Sequence, residues 1–177
     1  DVKTLFPGIG GNDKIITGNG ADVVLGGNGQ DTIDSGEGND VVHGDHGIVT
    51  NNRQTSLSTD FAQGAADNIK TAGGDDVVHG GAGNDDIDGG NGNNVVFGDG
   101  GSYVPGFQTN LEFGTGGADT ITTGSGKDVV FGGAAGDRIT TGAGDDVVFG
   151  DNGNHRNGLS QTTGTGSGGS DPIDSGG

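Results

Sequence analysis

The chain has no cysteine, methionine or tryptophan, a single tyrosine, and only seven lysine and arginine residues among its 177. Without cysteine there is no disulfide to staple a small core, which leaves a metal as the remaining cross-link. Seven cations against 25 acidic groups give a formal charge of −18. So few basic residues exclude nucleic acid as a partner and disfavour anionic membranes, since both are held by clustered Lys and Arg. No apolar run approaches the roughly 20 residues that span a bilayer, so no membrane insertion is expected. Apolar residues make up 27% of the chain and aromatics 5%, too little for an ordinary core, and with this charge the composition alone reads as a disordered polymer unless something neutralises it. The opening Asp1-Val2-Lys3-Thr4-Leu5-Phe6-Pro7 lacks the pattern of a signal peptide, and the chain is expected to be a piece of a longer protein.

What the chain does have is glycine, 44 residues of it, and a register. Gly26-Gly27-Asn28-Gly29-Gln30-Asp31-Thr32-Ile33-Asp34 is one clean nine-residue unit, and Gly80 to Asp88 is another. The same phase places Asp13, Asp22, Asp31 and Asp40 nine apart, breaks, returns at Asp67, Asp76, Asp85 and Asn94, breaks again, returns at Asp119, Asp128, Asp137 and Asp146, and reappears at Asp171. Two residues after each stands Ile or Val, from Ile15 and Val24 to Val148 and Ile173. Thirteen copies in one phase exclude chance.

A longer period lies over the short one. The block starts Asp13, Asp67, Asp119 and Asp171 are 54, 52 and 52 residues apart, and each block closes on Gly-Asp-x-Gly: Gly44-Asp45-His46-Gly47, Gly98-Asp99-Gly100-Gly101 and Gly150-Asp151-Asn152-Gly153. These read as interrupted turns. Residues 48–65, 102–117 and 154–169 are expected to be loops grown inside every fourth turn of a single domain spanning 1–177, because surface turns tolerate added length cheaply.

The unit Gly-Gly-x-Gly-x-Asp-x-U-x, with U a large aliphatic residue, resembles the haemolysin-type calcium-binding nonapeptide repeat of the RTX family. The resemblance covers residues 8 to 153 apart from the insertions, plus the segment around Asp171. It implies an all-β fold, a right-handed parallel β-roll or β-solenoid, in which six-residue turns alternate with three-residue strands, two units make a coil, and calcium lies between turns n and n+2. By the resemblance each interior site takes a carboxylate from both turns, carbonyl oxygens from the second and fourth positions of one turn, and carbonyl oxygens from the first and third positions of the other. Between Asp22 and Asp40 the ligands would be Gly18, Gly20, Asp22, Ser35, Glu37 and Asp40, with Glu37 giving its backbone oxygen only. Second and fourth positions elsewhere are Gly27, Gly29, Gly36, Gly38, Gly81, Gly83, Gly90, Gly92, Gly124 and Gly126. The chemistry agrees: glycine takes positive φ and turns carbonyls inward, Asp is a short hard carboxylate, and an all-oxygen cage suits calcium, whereas zinc would want His or Cys.

Alternate turns fall on two edges, so the thirteen ladder positions allow six plus five neighbour pairs, eleven sites. Asn94 offers an oxygen without charge, and its two sites should bind more weakly. Ala135 replaces a turn glycine, a milder departure. The three loop-bearing turns put their own sites in greater question. Two charges per ion would more than offset −18 if most sites fill.

The strands differ by parity. Even strands read Val23-Val24-Leu25, Val41-Val42-His43, Val77-Val78-His79, Val95-Val96-Phe97, Val129-Val130-Phe131 and Val147-Val148-Phe149, while odd ones such as Thr32-Ile33-Asp34 and Asp86-Ile87-Asp88 carry polar flanks. Side chains alternate across a strand, so one outer face is polar and the other apolar, and an apolar face this large should be covered. Leu57, Phe61, Phe107, Leu111 and Phe113 in the insertions are the expected cover, with a cell-surface partner or self-association as the alternative. His43 and His79 are read as ladder residues rather than a transition-metal site. Gly164, Gly166 and Gly169 fit a dinucleotide fingerprint only by spacing, and the threonines of the polar face are too interrupted by charge for ice binding. No hydrolase or phosphate-loop motif appears, so no catalysis is expected. The expected function is a calcium-dependent folding module of a secreted or surface-exposed bacterial protein exported by type I secretion, an adhesin or toxin-like protein, or else the calcium-binding tail of a secreted lipase or protease.

Overall fold

Each aliphatic triplet has room for one short strand and nothing more, because glycine-rich turns bound it on both sides. The computed structural model, which describes residues 2–3, 8–111, 116–163 and 168–176, places a strand on each. Lys14–Ile16, Thr32–Asp34, Asn68–Lys70, Asp86–Asp88, Thr120–Thr122, Arg138–Thr140 and Ile173–Asp174 form one parallel sheet. Val23–Leu25, Val41–His43, Val77–His79, Val95–Phe97, Val129–Phe131 and Val147–Phe149 form a second. The chain is an all-β parallel β-roll.

Register runs straight through the insertions. Ile33 pairs with Ile69 and Ile87 with Ile121, as directly as Ile15 pairs with Ile33. Because inward residues recur at the centre of every triplet, they stack into one narrow core: Ile33, Ile69, Ile87, Ile121 and Ile139 from the polar sheet meet Val24, Val42, Val78, Val96 and Val130 from the apolar one. Each such side chain contributes about 1.5–3 kcal/mol by leaving water. Ile15 and Val148, at the ends of the stack, are only partly buried.

The insertions differ from the expected loops. They carry three β-hairpins, Gly47–Thr50 with Thr55–Ser58, Gly101–Val104 with Phe107–Asn110, and Gly153–Arg156 with Leu159–Thr162, which join Val2–Lys3 in a seven-stranded antiparallel sheet. Asn157 and Gly158, both at positive φ (47° and 81°), make the tight turn that matches hairpin twist. Successive hairpins meet in one register, with Val2 opposite Val49, Ser56 opposite Tyr103 and Gln108 opposite His155. Strands thus begin one residue before the expected loop boundaries, and the bridges from Gly83 to Gly116 and from Ala135 to Gly168 return the chain to the turn ladder inside the spans 102–117 and 154–169.

This third sheet lies over the apolar face, but not through the side chains expected. Val49 and Tyr103 pack on Val23, Leu25, Val41, Val77 and Val95, and Ser56, Ser58, Gln108 and Asn110 are buried beside them. Strand alternation turns Phe107 outward, 38% exposed, and leaves Leu57 half-exposed, because the same hairpin cannot point both of its rows at the roll. Phe61 lies over Gly100 instead. Phe113, like Gly164 and Gly166, is outside the described residues.

Beneath the hairpins the outer residues of the apolar strands form a stack of parallel rings: His43 on His79 at 4.2 Å, His79 on Phe97 at 4.7 Å, Phe97 on Phe131 at 5.0 Å and Phe131 on Phe149 at 4.8 Å.

Candidate metal centre

A turn of six residues that begins and ends on neighbouring strands brings its Asp to the inner rim, directly above the Asp of the next turn on that edge. On one edge the backbone N–H of Asp13 donates to Oδ1 of Asp31 (2.8 Å), and the same bond links Asp31 to Asp67, Asp67 to Asp85, Asp85 to Asp119, Asp119 to Asp137 and Asp137 to Asp171 at 2.7–2.9 Å. On the other edge it links Asp22 to Asp40, Asp40 to Asp76, Asp76 to Asn94, Asn94 to Asp128 and Asp128 to Asp146 at 2.8–3.1 Å. These are the six and five neighbour pairs read from the repeat.

From Asp31 and Asp40 onward one oxygen of each ladder carboxylate accepts this bond. Oδ2 of Asp22, Asp31, Asp40, Asp67, Asp76, Asp85, Asp119, Asp128, Asp137 and Asp146 is buried without a hydrogen-bond partner. An unpaired buried charge is among the costliest things a fold can hold. Burial accordingly pushes Asp67 and Asp137 up to about 7, Asp85 to about 9 and Asp119 to about 10, with the neighbouring carboxylates adding to the rise. Among the described residues no three His, Cys, Asp or Glu side chains converge, and what the turns bring together is pairs of ladder carboxylates beside main-chain oxygens. Hard oxygens around orphaned anions fit calcium.

The turn backbone shows where the remaining oxygens lie. Of the second- and fourth-position glycines named from the repeat, all but Gly124 have φ between 63° and 144°. A side chain at Gly36 would strike the carbonyl oxygen of Gly18, and one at Gly38 that of Gly20, so these oxygens face the next turn. Ser35 and Glu37 also present their carbonyls, each already accepting one hydrogen bond, from Thr17 Oγ1 (2.9 Å) and Gly20 N–H (2.7 Å), with a second lone pair on each oxygen. Ala135 is held at φ 72°, and Ala72, at the second position of its own turn, at 54°.

Asn94 departs in a telling way. Its Oδ1 takes the ladder bond, but its Nδ2, which stands where the others carry Oδ2, donates to the carbonyl of Gly90 in its own turn at 3.2 Å.

Ring nitrogens of His43 and His79 meet the hairpin serines. Ser56 Oγ lies 2.7 Å from Nε2 of His43 and 2.9 Å from Nε2 of His79, while Ser58 Oγ accepts the Gly101 N–H and lies 3.1 Å from Nδ1 of His79. Ser56 thus links the two rings and Ser58 holds the second, one chain of hydrogen bonds running through both histidines. Burial holds His43 down to about 3 and His79 well below its usual range.

A parallel roll with an Asp ladder along both edges defines a calcium-binding solenoid. The family model of the RTX calcium-binding nonapeptide repeat matches four times, over residues 7–42, 61–104, 113–137 and 128–154, and the chain belongs to that family. Its repeats bind calcium ions. No curated protein and no solved structure matches the chain.

Proposed function

We propose that the chain is a conditional folding module, a single β-roll domain over residues 1–177 that folds when a large type I-secreted bacterial protein meets calcium outside the cell. The observation that carries this reading is the set of buried, unpartnered Oδ2 atoms: a fold that confines ten carboxylate oxygens without partners depends on a cation. Its ions would lie between successive Asp residues of each edge, held by the paired carboxylates and by the carbonyls of the turn positions named above. Blocks of 52 to 54 residues whose hairpins meet in one register support a repetitive surface protein, an adhesin or toxin-like array, as the parent rather than an enzyme with a short tail.

Circular dichroism during a calcium titration tests the folding claim. Chelated protein is expected to be largely unstructured and to gain β structure in millimolar calcium, but not in equal magnesium, which sheds its water reluctantly. A folded spectrum that persists in excess chelator would overturn the proposal. The full-length sequence separates the parents: further blocks support the array, an upstream hydrolase domain the enzyme tail.

A further inference from the structure

Counting back from the ladder Asp, the third turn positions in the loop-bearing turns are Gly64, Gly116 and Gly168, and counting forward from the preceding strand the second are Asp45, Asp99 and Asp151. Each hairpin is therefore let out between position two and position three, in the middle of the segment whose carbonyls face the ions. By position five the turn is back in register, since Ala118 N–H donates to Asn84 Oδ1 (3.0 Å) just as Gln30 N–H donates to Asn12 Oδ1 (3.1 Å) in an uninterrupted turn. Something must hold the cut ends together.

The side chain at position two spans the gap. Asp45 Oδ1 accepts the N–H of Ala65 at 3.3 Å, across the insertion, and its Oδ2 accepts the N–H of Ala82 in the next turn at 2.6 Å. Asp99 repeats this with Gly117 (3.0 Å) and Ala134 (2.5 Å). A side chain at Gly64, Gly116 or Gly168 would strike the carboxylate of Asp45, Asp99 or Asp151 in turn, so the third copy stands in the same place. Most uninterrupted turns hold position two at positive φ, as at Gly18, Gly27, Gly36, Gly81 and Gly90, whereas none of these Asp residues has positive φ. The final Gly of the signature completes the cassette: Gly47, Gly101 and Gly153 lie against the rings of His43, Phe97 and Phe149, where a side chain would collide.

We propose that Asp45 and Asp99 are positioning residues of the calcium ladder, each a carboxylate clip that keeps an interrupted turn closed so that its carbonyls stay in place for the ions on either side. This rests on the ladder reading above and reverses the expectation that the loop-bearing turns are the weak ones. With residues 46–63 excised, Asp45 joins Gly64 directly and the turn reads Gly44-Asp45-Gly64-Ala65-Ala66-Asp67, which needs no clip.

The test compares Asp45→Ala in the full chain with Asp45→Gly in the excised chain, reading bound calcium by isothermal titration and amide exchange at Ala65 and Ala82. In the full chain the substitution should cost up to two ions, those shared by the Asp67 turn, raise the folding midpoint about twofold because many ions share the cost, and unprotect both amides. In the excised chain it should be neutral or favourable. Equal loss in both backgrounds, or unchanged ion count and protection in the full chain, overturns the clip. Should either chain fail to fold, Asp99→Ala in the full chain decides: lost amide protection at Gly117 and Ala134 with fewer bound ions supports the clip, and no change overturns it. An unaltered chain that binds no calcium would instead sink the ladder reading, and amide protection at Ala65 would still report on the clip.

Discussion

Single positions tune the ladder in opposite directions. At Asn94 the amide donates to Gly90 O, so an N–H fills the place that elsewhere holds an unpartnered carboxylate oxygen. Asn94→Asp removes that donor and restores the charge, and calcium titration followed by circular dichroism should show folding at lower calcium; an equal or higher midpoint would remove position 94 from the ion ladder. Ala135, at φ 72°, carries a side chain in left-handed backbone that costs an L-residue about 1–2 kcal/mol and glycine almost nothing. Ala135→Gly should therefore stabilise the calcium-loaded roll by about 1 kcal/mol in urea denaturation, and a loss of stability would mean that the Ala methyl has a packing role outweighing its strain. The ladder Asp and its following aliphatic residue were legible in the sequence because both are fixed by a period of nine. The carboxylate of Asp45 was visible only as part of a repeated signature, since nothing in residue order says that a side chain bridges a gap of 18 residues.

Elements were legible to the degree that they repeat. All the roll strands follow from the phase of the Asp residues, and their parity separates the polar from the apolar sheet. The hairpins were hidden because their buried row mixes Val49 and Tyr103 with the polar Ser56, Ser58, Gln108 and Asn110, so alternation of apolar residues gives little signal and the eye goes to Leu57 and Phe107, which face outward. They dock through Val49 and Tyr103 on the apolar strands, glycine against ring, and serine hydroxyls on histidine nitrogens. Gly101→Val should then fail at the docking step. Its Cβ collides with the Phe97 ring, lifting the hairpin and exposing the ring stack. Calcium-loaded protein carrying this change should bind more hydrophobic dye with the parallel sheets retained. Dye binding at the level of the unaltered chain would show that the hairpin sheet accommodates the ring elsewhere.

For the whole molecule, proton and calcium compete for the same oxygens. Folding without calcium raises carboxyl pKa values above the ordinary 3.8: Asp76 and Asp99 to about 6, Asp67 and Asp137 to about 7, Asp45 to about 8, Asp85 to about 9 and Asp119 to about 10, burial being the first cause in each. A raised folded pKa favours the folded state fully below the unfolded value and loses that contribution as pH climbs through the folded one. Calcium-free protein should thus be least unstable near pH 4 and progressively less folded from pH 6 upward. His43 and His79 pull the other way, since their lowered values favour folding above 6.5 and penalise it as pH falls toward their folded range. Between pH 6.5 and 4 five carboxyls, Asp45, Asp67, Asp85, Asp119 and Asp137, stay protonated only in the folded state against two histidines protonated only in the unfolded one, so the carboxyls set the sign. Neutralising the charge of −18 acts in the same direction. Chelated protein followed by circular dichroism should gain β structure on acidification from pH 7.5 to 4.5. If chelated protein were equally unstructured at both pH values, the buried ladder carboxylates would not be the groups whose charge controls folding.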